Sequence, residues 1–153
     1  MKESDLYAPV RDWLAARGWE IHVEIFGTDI VAVQGDKLLA VELKLSLSKG
    51  LWRQTMHRTH WADCVYAAVP GKRGDKPLRA SSLRCFGIGL LLVDGDRVHQ
   101  AVQGKPQPHA WHKAHAYRIK KLTGRLPAQD FELAGLPSCP ALKEQRAKRT
   151  AMN

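Results

Sequence analysis

Cysteine is scarce in this chain: Cys64, Cys85 and Cys139 are the only three among 153 residues, and no two form a Cys-x-x-Cys pair. That usage supports neither a disulfide framework nor a zinc knuckle and suits a reducing compartment. Apolar runs near the length of a membrane span are missing, as is any leader-like pattern, so a soluble, cytoplasmic protein without a membrane partner is expected. Acidic residues are also few, 15 against 24 Lys and Arg, for a formal charge of +9. The deficit is uneven. Residues 1–104 carry 12 acids against 14 bases, a balance of +2, whereas residues 105–153 carry 3 against 10, a balance of +7. A near-neutral core followed by a basic extension is therefore expected, at a length that suits one compact domain with a small appendage. Such a charge excess fits a polyanionic partner and equally an ordinary solvated surface.

What the sequence does contain is concentrated between Thr28 and Lys44, TDIVAVQGDKLLAVELK. Two short apolar strands, Ile30–Gln34 and Leu38–Leu43, flank Gly35-Asp36, a two-residue loop of the kind that closes a hairpin. With Gln34 and Lys37 on either side of that loop, Asp29 falls opposite Glu42. Alternation then predicts Lys44 on the same face as Glu42. Both faces of the hairpin are otherwise apolar, so burial of these charges is costly unless something positive sits between the acids. A divalent cation with oxygen ligands is one candidate, since Mg²⁺ needs only one or two carboxylates beside water and phosphate. A structural ion pair between Lys44 and an acid is another.

The pattern Asp29, twelve residues, then Glu42-Leu43-Lys44 resembles the signature of the PD-(D/E)xK nuclease superfamily. Thr28 stands where the name-giving proline would be, at a position that varies and carries no ligand. The stretch LWRQTMHRTHWADCVYAAVP that follows resembles the helix and strand after the motif in small bacterial members, described as phosphodiesterases or DNA-repair endonucleases. The resemblance spans residues 5 to 103. It implies a restriction-endonuclease-like α/β sandwich, a central mixed sheet flanked by helices, and Mg²⁺-dependent hydrolysis of phosphodiester bonds in DNA, with Mn²⁺ able to substitute and RNA not excluded. It implies Asp29 and Glu42 as metal ligands, the Leu43 carbonyl as a further one, Lys44 as the residue that positions the attacking water, and Gln54 near the site. An additional acid is found in such nucleases on the strand before the motif or on the first helix, which makes Glu24 a candidate ligand. A role in DNA repair, recombination or defence follows from the same resemblance, and concerted double-strand cutting would require a homodimer. The rival expectation is a catalytically inactive nucleic-acid-binding module on the same fold.

Elsewhere the signals are structural. Residues 4–17 read as a helix with Leu6, Val10, Trp13 and Leu14 on one face and Ser4 or Asp5 as cap. Trp19–Glu24 alternates as a half-buried strand. Ser48 caps a helix over 49–61 whose stripe is Leu51, Trp52, Thr55, Met56 and Thr59, leaving Gln54, Arg58 and Trp61 on a flank. His57 and His60, three apart, lack a third ligand for zinc. A strand at 64–69, a short helix at 80–86, a buried strand in GIGLLLVD and a returning strand at 97–102 complete the core. Beyond the proline-containing KPQPHA, segments 111–122, 128–134 and 141–148 read as a small helical unit, possible in helix-turn-helix form, with Arg118, Lys120, Lys121, Arg125, Arg146, Lys148 and Arg149 as candidate phosphate contacts.

Overall fold

The computed structural model describes residues 1–25, 27–35 and 37–107, with Glu24 and Ile25 described through their backbone alone. The basic segment 108–153, with its seven candidate phosphate contacts and its expected helices, lies outside the described residues.

A 3-10 turn, Glu3–Leu6, leads into α1 (Tyr7–Ala15). Three strands follow, β1 (Glu20–Ile25), β2 (Thr28–Gln34) and β3 (Lys37–Leu43), then α2 (Lys49–Arg58), β4 (Cys64–Pro70), α3 (Ala80–Cys85), β5 (Gly89–Asp94) and β6 (Arg97–Val102). All six strands form one sheet in sequence order. The pairings β1·β2, β2·β3 and β5·β6 are antiparallel, while β3·β4 and β4·β5 are parallel. The parallel pairs are those whose connections carry α2 and α3, as crossover connections require. The protein is thus an α/β fold built on an open mixed sheet. Among the described residues, no helix is long and apolar enough to cross a membrane.

The helices sort to opposite faces because the strands alternate. Ile30, Ala32, Leu39 and Val41 pack with Leu6, Val10 and Leu14 from the α1 side. Val31, Val33, Leu38 and Ala40 pack with Leu51 of α2 and Leu83 of α3 on the other. The hairpin register is the one the two-residue loop dictates, from Gln34↔Lys37 to Ile30↔Val41. Ser48 caps α2 as expected, its hydroxyl accepting the Leu51 N–H at 3.2 Å. The first helix differs from expectation. Its opening turn is 3-10, and Asp5 accepts the Lys2 N–H at 2.7 Å, so the α-helix itself begins only at Tyr7.

One close approach fixes the far side of the sheet. The Tyr66 ring lies over Gly89 and Gly104, and its hydroxyl donates to Gln100 Oε1 and accepts from Gly104 N, both at 3.0 Å. A Cβ at Gly89 would collide with that ring and lie 2.7 Å from the Gly104 nitrogen. Gly89→Ala is therefore expected to cost about 3 kcal/mol or more, because backbone and ring must both move. Urea denaturation checks this. A loss below about 1 kcal/mol would show that the ring gives way freely. After β6 the chain stays tied to the core, with Lys105 N donating to Gly87 O at 2.8 Å and Gln107 N to Asp63 O at 2.9 Å.

Candidate functional site

The open end of the β2–β3 hairpin is where the charged residues gather. Asp29 sits one residue before Ile30, whose partner is Val41, so the register carries Asp29 to the level of Glu42. The two carboxyl groups are close enough for Asp29 to raise the pKa of Glu42. Asp29 Oδ2 also accepts the Leu43 N–H at 2.8 Å, which pins that side chain across the end of β3. Glu42 shares the α2 face of the sheet with Ala40 and Leu38 and is 1 % exposed. Two of the expected residues are thus brought together as the hairpin geometry requires.

The positive group on Glu42 is Arg58. Its Nε donates to Glu42 Oε1 at 2.6 Å, and its Nη2 donates to the Gly27 carbonyl at 3.2 Å. Arg58 is itself 6 % exposed, which makes this a buried, charge-assisted pair. Burial is the main reason that the Glu42 carboxyl is pushed up from its ordinary range to about 7, with Asp29 adding to the shift and Arg58 opposing it through charge and hydrogen bond. The one guanidinium therefore does not fully offset the burial of Glu42 beside the partly exposed Asp29.

Lys44 pairs with Glu3. Its Nζ lies 3.3 and 3.4 Å from the two carboxylate oxygens of Glu3, in a pair that is about half exposed on the Glu3 side. The Lys44 N–H donates to Ala68 O at 3.0 Å, which carries the β3·β4 ladder one residue past Leu43 and keeps Lys44 at the open end of the hairpin. Glu3, Ser4, Tyr7, Val23, Asp29 and Leu43 line an open cleft of about 430 Å³. Asp29 is the expected site residue that reaches both the cleft and the buried pair.

Gln54 lies on α2 one turn before Arg58, with its Oε1 buried and, among the described residues, without a hydrogen-bond partner. Leu43 contributes its amide to Asp29 and its side chain to the cleft wall. Glu24 falls on β1, and its side chain lies outside the described residues. The sequence reading missed Glu3 and Arg58 as site residues. For Arg58 a signal existed, since it shares a flank with Gln54 four residues earlier. For Glu3 no local signal existed.

Among the described residues, no three His, Cys, Asp or Glu side chains come together as a metal cage. The donor set does not suit structural zinc. It does fit a hard cation such as Mg²⁺, which takes one or two carboxylates and completes its shell with water and phosphate. Two adjoining carboxylates, one of them raised by burial to about 7 even beside its arginine, are an environment that a divalent cation relieves.

No family model matches the chain, and no curated protein matches it. Among solved structures it is similar to the SPO1766 protein of unknown function from Silicibacter pomeroyi, with a TM-score of 0.53 and 17 % sequence identity over 80 % of this chain and 92 % of that one. At that identity the likeness speaks for the fold alone.

Proposed function

We propose that the chain is a metal-dependent nuclease of the restriction-endonuclease-like type, hydrolysing phosphodiester bonds in DNA. The observation that carries this reading is the pairing of Asp29 with Glu42 at the open end of an otherwise apolar hairpin, beside a cleft that Lys44 borders through Glu3. The element order, one helix, three strands, helix and parallel strand, also supports it. Asp29 and Glu42 would hold Mg²⁺, or Mn²⁺ in its place, with the Leu43 carbonyl as a further donor. When bound, the cation polarises the scissile phosphate and acidifies a coordinated water. Lys44, released from its half-exposed pair with Glu3, orients the nucleophile and offsets the charge that builds on the phosphoryl oxygens. Gln54 supplies an amide on the α2 flank. The basic residues Arg118, Lys120, Lys121, Arg125, Arg146, Lys148 and Arg149 would grip the DNA backbone without reading sequence. A place in repair, recombination or defence is proposed on the same ground, and two copies would be needed to cut both strands together.

The Arg58–Glu42 pair favours a second reading, in which the fold is kept as a nucleic-acid-binding module and the guanidinium stands permanently in the cation's place. Incubation of labelled linear, circular single-stranded and branched DNA with Mg²⁺, Mn²⁺ or EDTA separates the two. Cutting that requires the metal and is lost in Asp29→Asn supports the nuclease. DNA binding without cutting of any substrate, equal in wild type and Asp29→Asn, supports the module.

A further inference from the structure

Arg58 is the last residue of α2, and its side chain crosses to the sheet to make two bonds there. One takes a lone pair of Glu42 Oε1 at 2.6 Å, and the other anchors the guanidinium to the Gly27 carbonyl, just before Asp29. A carboxylate oxygen engaged so closely by a buried guanidinium does not present that lone pair to a metal. The ion pair and metal ligation therefore draw on the same carboxylate charge, and the guanidinium occupies one of its two oxygens. We infer that Arg58 is the resident counter-ion of Glu42 and competes with the divalent cation for it, so that cation binding and release of the guanidinium are a single exchange. This rests on the metal-site reading above and adds a residue to it.

Three features of the structure make the exchange workable. Glu42 is 1 % exposed, so an empty, ionised carboxylate would be costly and something positive must stand on it whenever the cation is absent. The Gly27 bond holds the guanidinium in register for that task. Gln54 lies four residues earlier on the same helix, the spacing at which side chains meet, and its buried Oε1 has no partner among the described residues. A guanidinium leaving Glu42 thus has an acceptor on its own helix. One consequence is that the cation binds wild type more weakly than two adjacent carboxylates would otherwise allow.

The exchange can be followed in the wild-type protein by ¹⁵N NMR, with the Arg58 Nε–H signal assigned by its loss in Arg58→Lys. Titration with Mg²⁺ is expected to move that signal in step with the Leu43 amide, and Asp29→Asn is expected to abolish both changes. A Leu43 amide that responds to Mg²⁺ while the Arg58 signal stays fixed would overturn the exchange and leave the metal site standing. Mn²⁺ affinity measured by electron paramagnetic resonance gives the second readout. Arg58→Gln is expected to bind Mn²⁺ about tenfold or more tightly than wild type, within the range in which partners of ligating groups act. Equal or weaker binding by Arg58→Gln contradicts the competition. No Mn²⁺ binding by either protein, with no NMR response to Mg²⁺, removes the metal site and the exchange together.

Discussion

Lys44→Ala is expected to lower kcat for Mg²⁺-dependent DNA cleavage by about 10²- to 10³-fold while DNA affinity stays nearly unchanged, the scale on which loss of one preorganised charge-stabilising group acts. Lys44 follows directly on β3, where its backbone N–H donates to Ala68 O at 3.0 Å, so its root is fixed by the sheet. Among the described residues its ammonium is held by Glu3, at 3.3 Å and with both partners partly exposed, and such a pair is worth little in water. The ammonium is therefore tethered at the cleft yet free to turn toward a phosphate. Backbone grip by many dispersed cations is a separate contribution, which places the effect in kcat rather than in binding. Glu3→Gln provides the control, since it frees Lys44 without removing it and is expected to leave kcat far closer to wild type. Single-turnover cleavage beside a DNA-binding titration measures both. Wild-type turnover in Lys44→Ala would remove Lys44 from the chemistry.

The second large effect concerns stability. Arg58→Ala is expected to destabilise the fold by about 3–5 kcal/mol at pH 8, because it leaves an ionised carboxylate buried without its partner. The loss should be smaller at pH 5. With its pKa raised in the folded state to about 7 from an ordinary 4.5, Glu42 binds a proton in the native chain that the unfolded chain has released over that interval. The stability from this group is therefore full below about 4.5 and declines as pH rises through about 7, by roughly 3 kcal/mol at 1.36 kcal/mol per unit. Glu42→Gln should flatten that slope. Adding Glu42→Gln to Arg58→Ala should restore much of the stability lost at pH 8, since both ends of the pair are then neutral. Urea unfolding of the four proteins at pH 5 and pH 8 gives the comparison, and four parallel pH profiles would show that Glu42 does not titrate between them.

Which parts of this molecule can be read from its sequence follows from the range of the interactions involved. The β2–β3 register is local: Gly35 adopts a φ of +60° in the turn, and once Gln34 faces Lys37 every other pair down to Ile30↔Val41 is fixed. β6 begins at Arg97 and the α2 cap falls on Ser48 for equally local reasons. Asp29 beside Glu42 is that same register carried one residue further.

Arg58 was not legible as a buried residue, because an arginine on a helix flank is ordinarily solvated, and it is Glu42, 16 residues away, together with the Gly27 carbonyl that draws it inward. The pairing of Glu3 with Lys44 spans 41 residues and depends on how the 3-10 turn docks against β3. The charged groups whose placement depends on tertiary packing are thus the ones that local pattern does not reach, whereas the apolar faces of both layers follow the period of each element.

The proposed cation site between Asp29 and Glu42 is open to direct observation. Anomalous diffraction from crystals soaked in Mn²⁺ tests it most directly. The expected result is one peak within coordination distance of an Asp29 and a Glu42 oxygen, about 2.0–2.3 Å, with the Arg58 guanidinium no longer on Glu42. The absence of any peak between the two carboxylates at saturating Mn²⁺, with Arg58 still bonded to Glu42, would contradict the account.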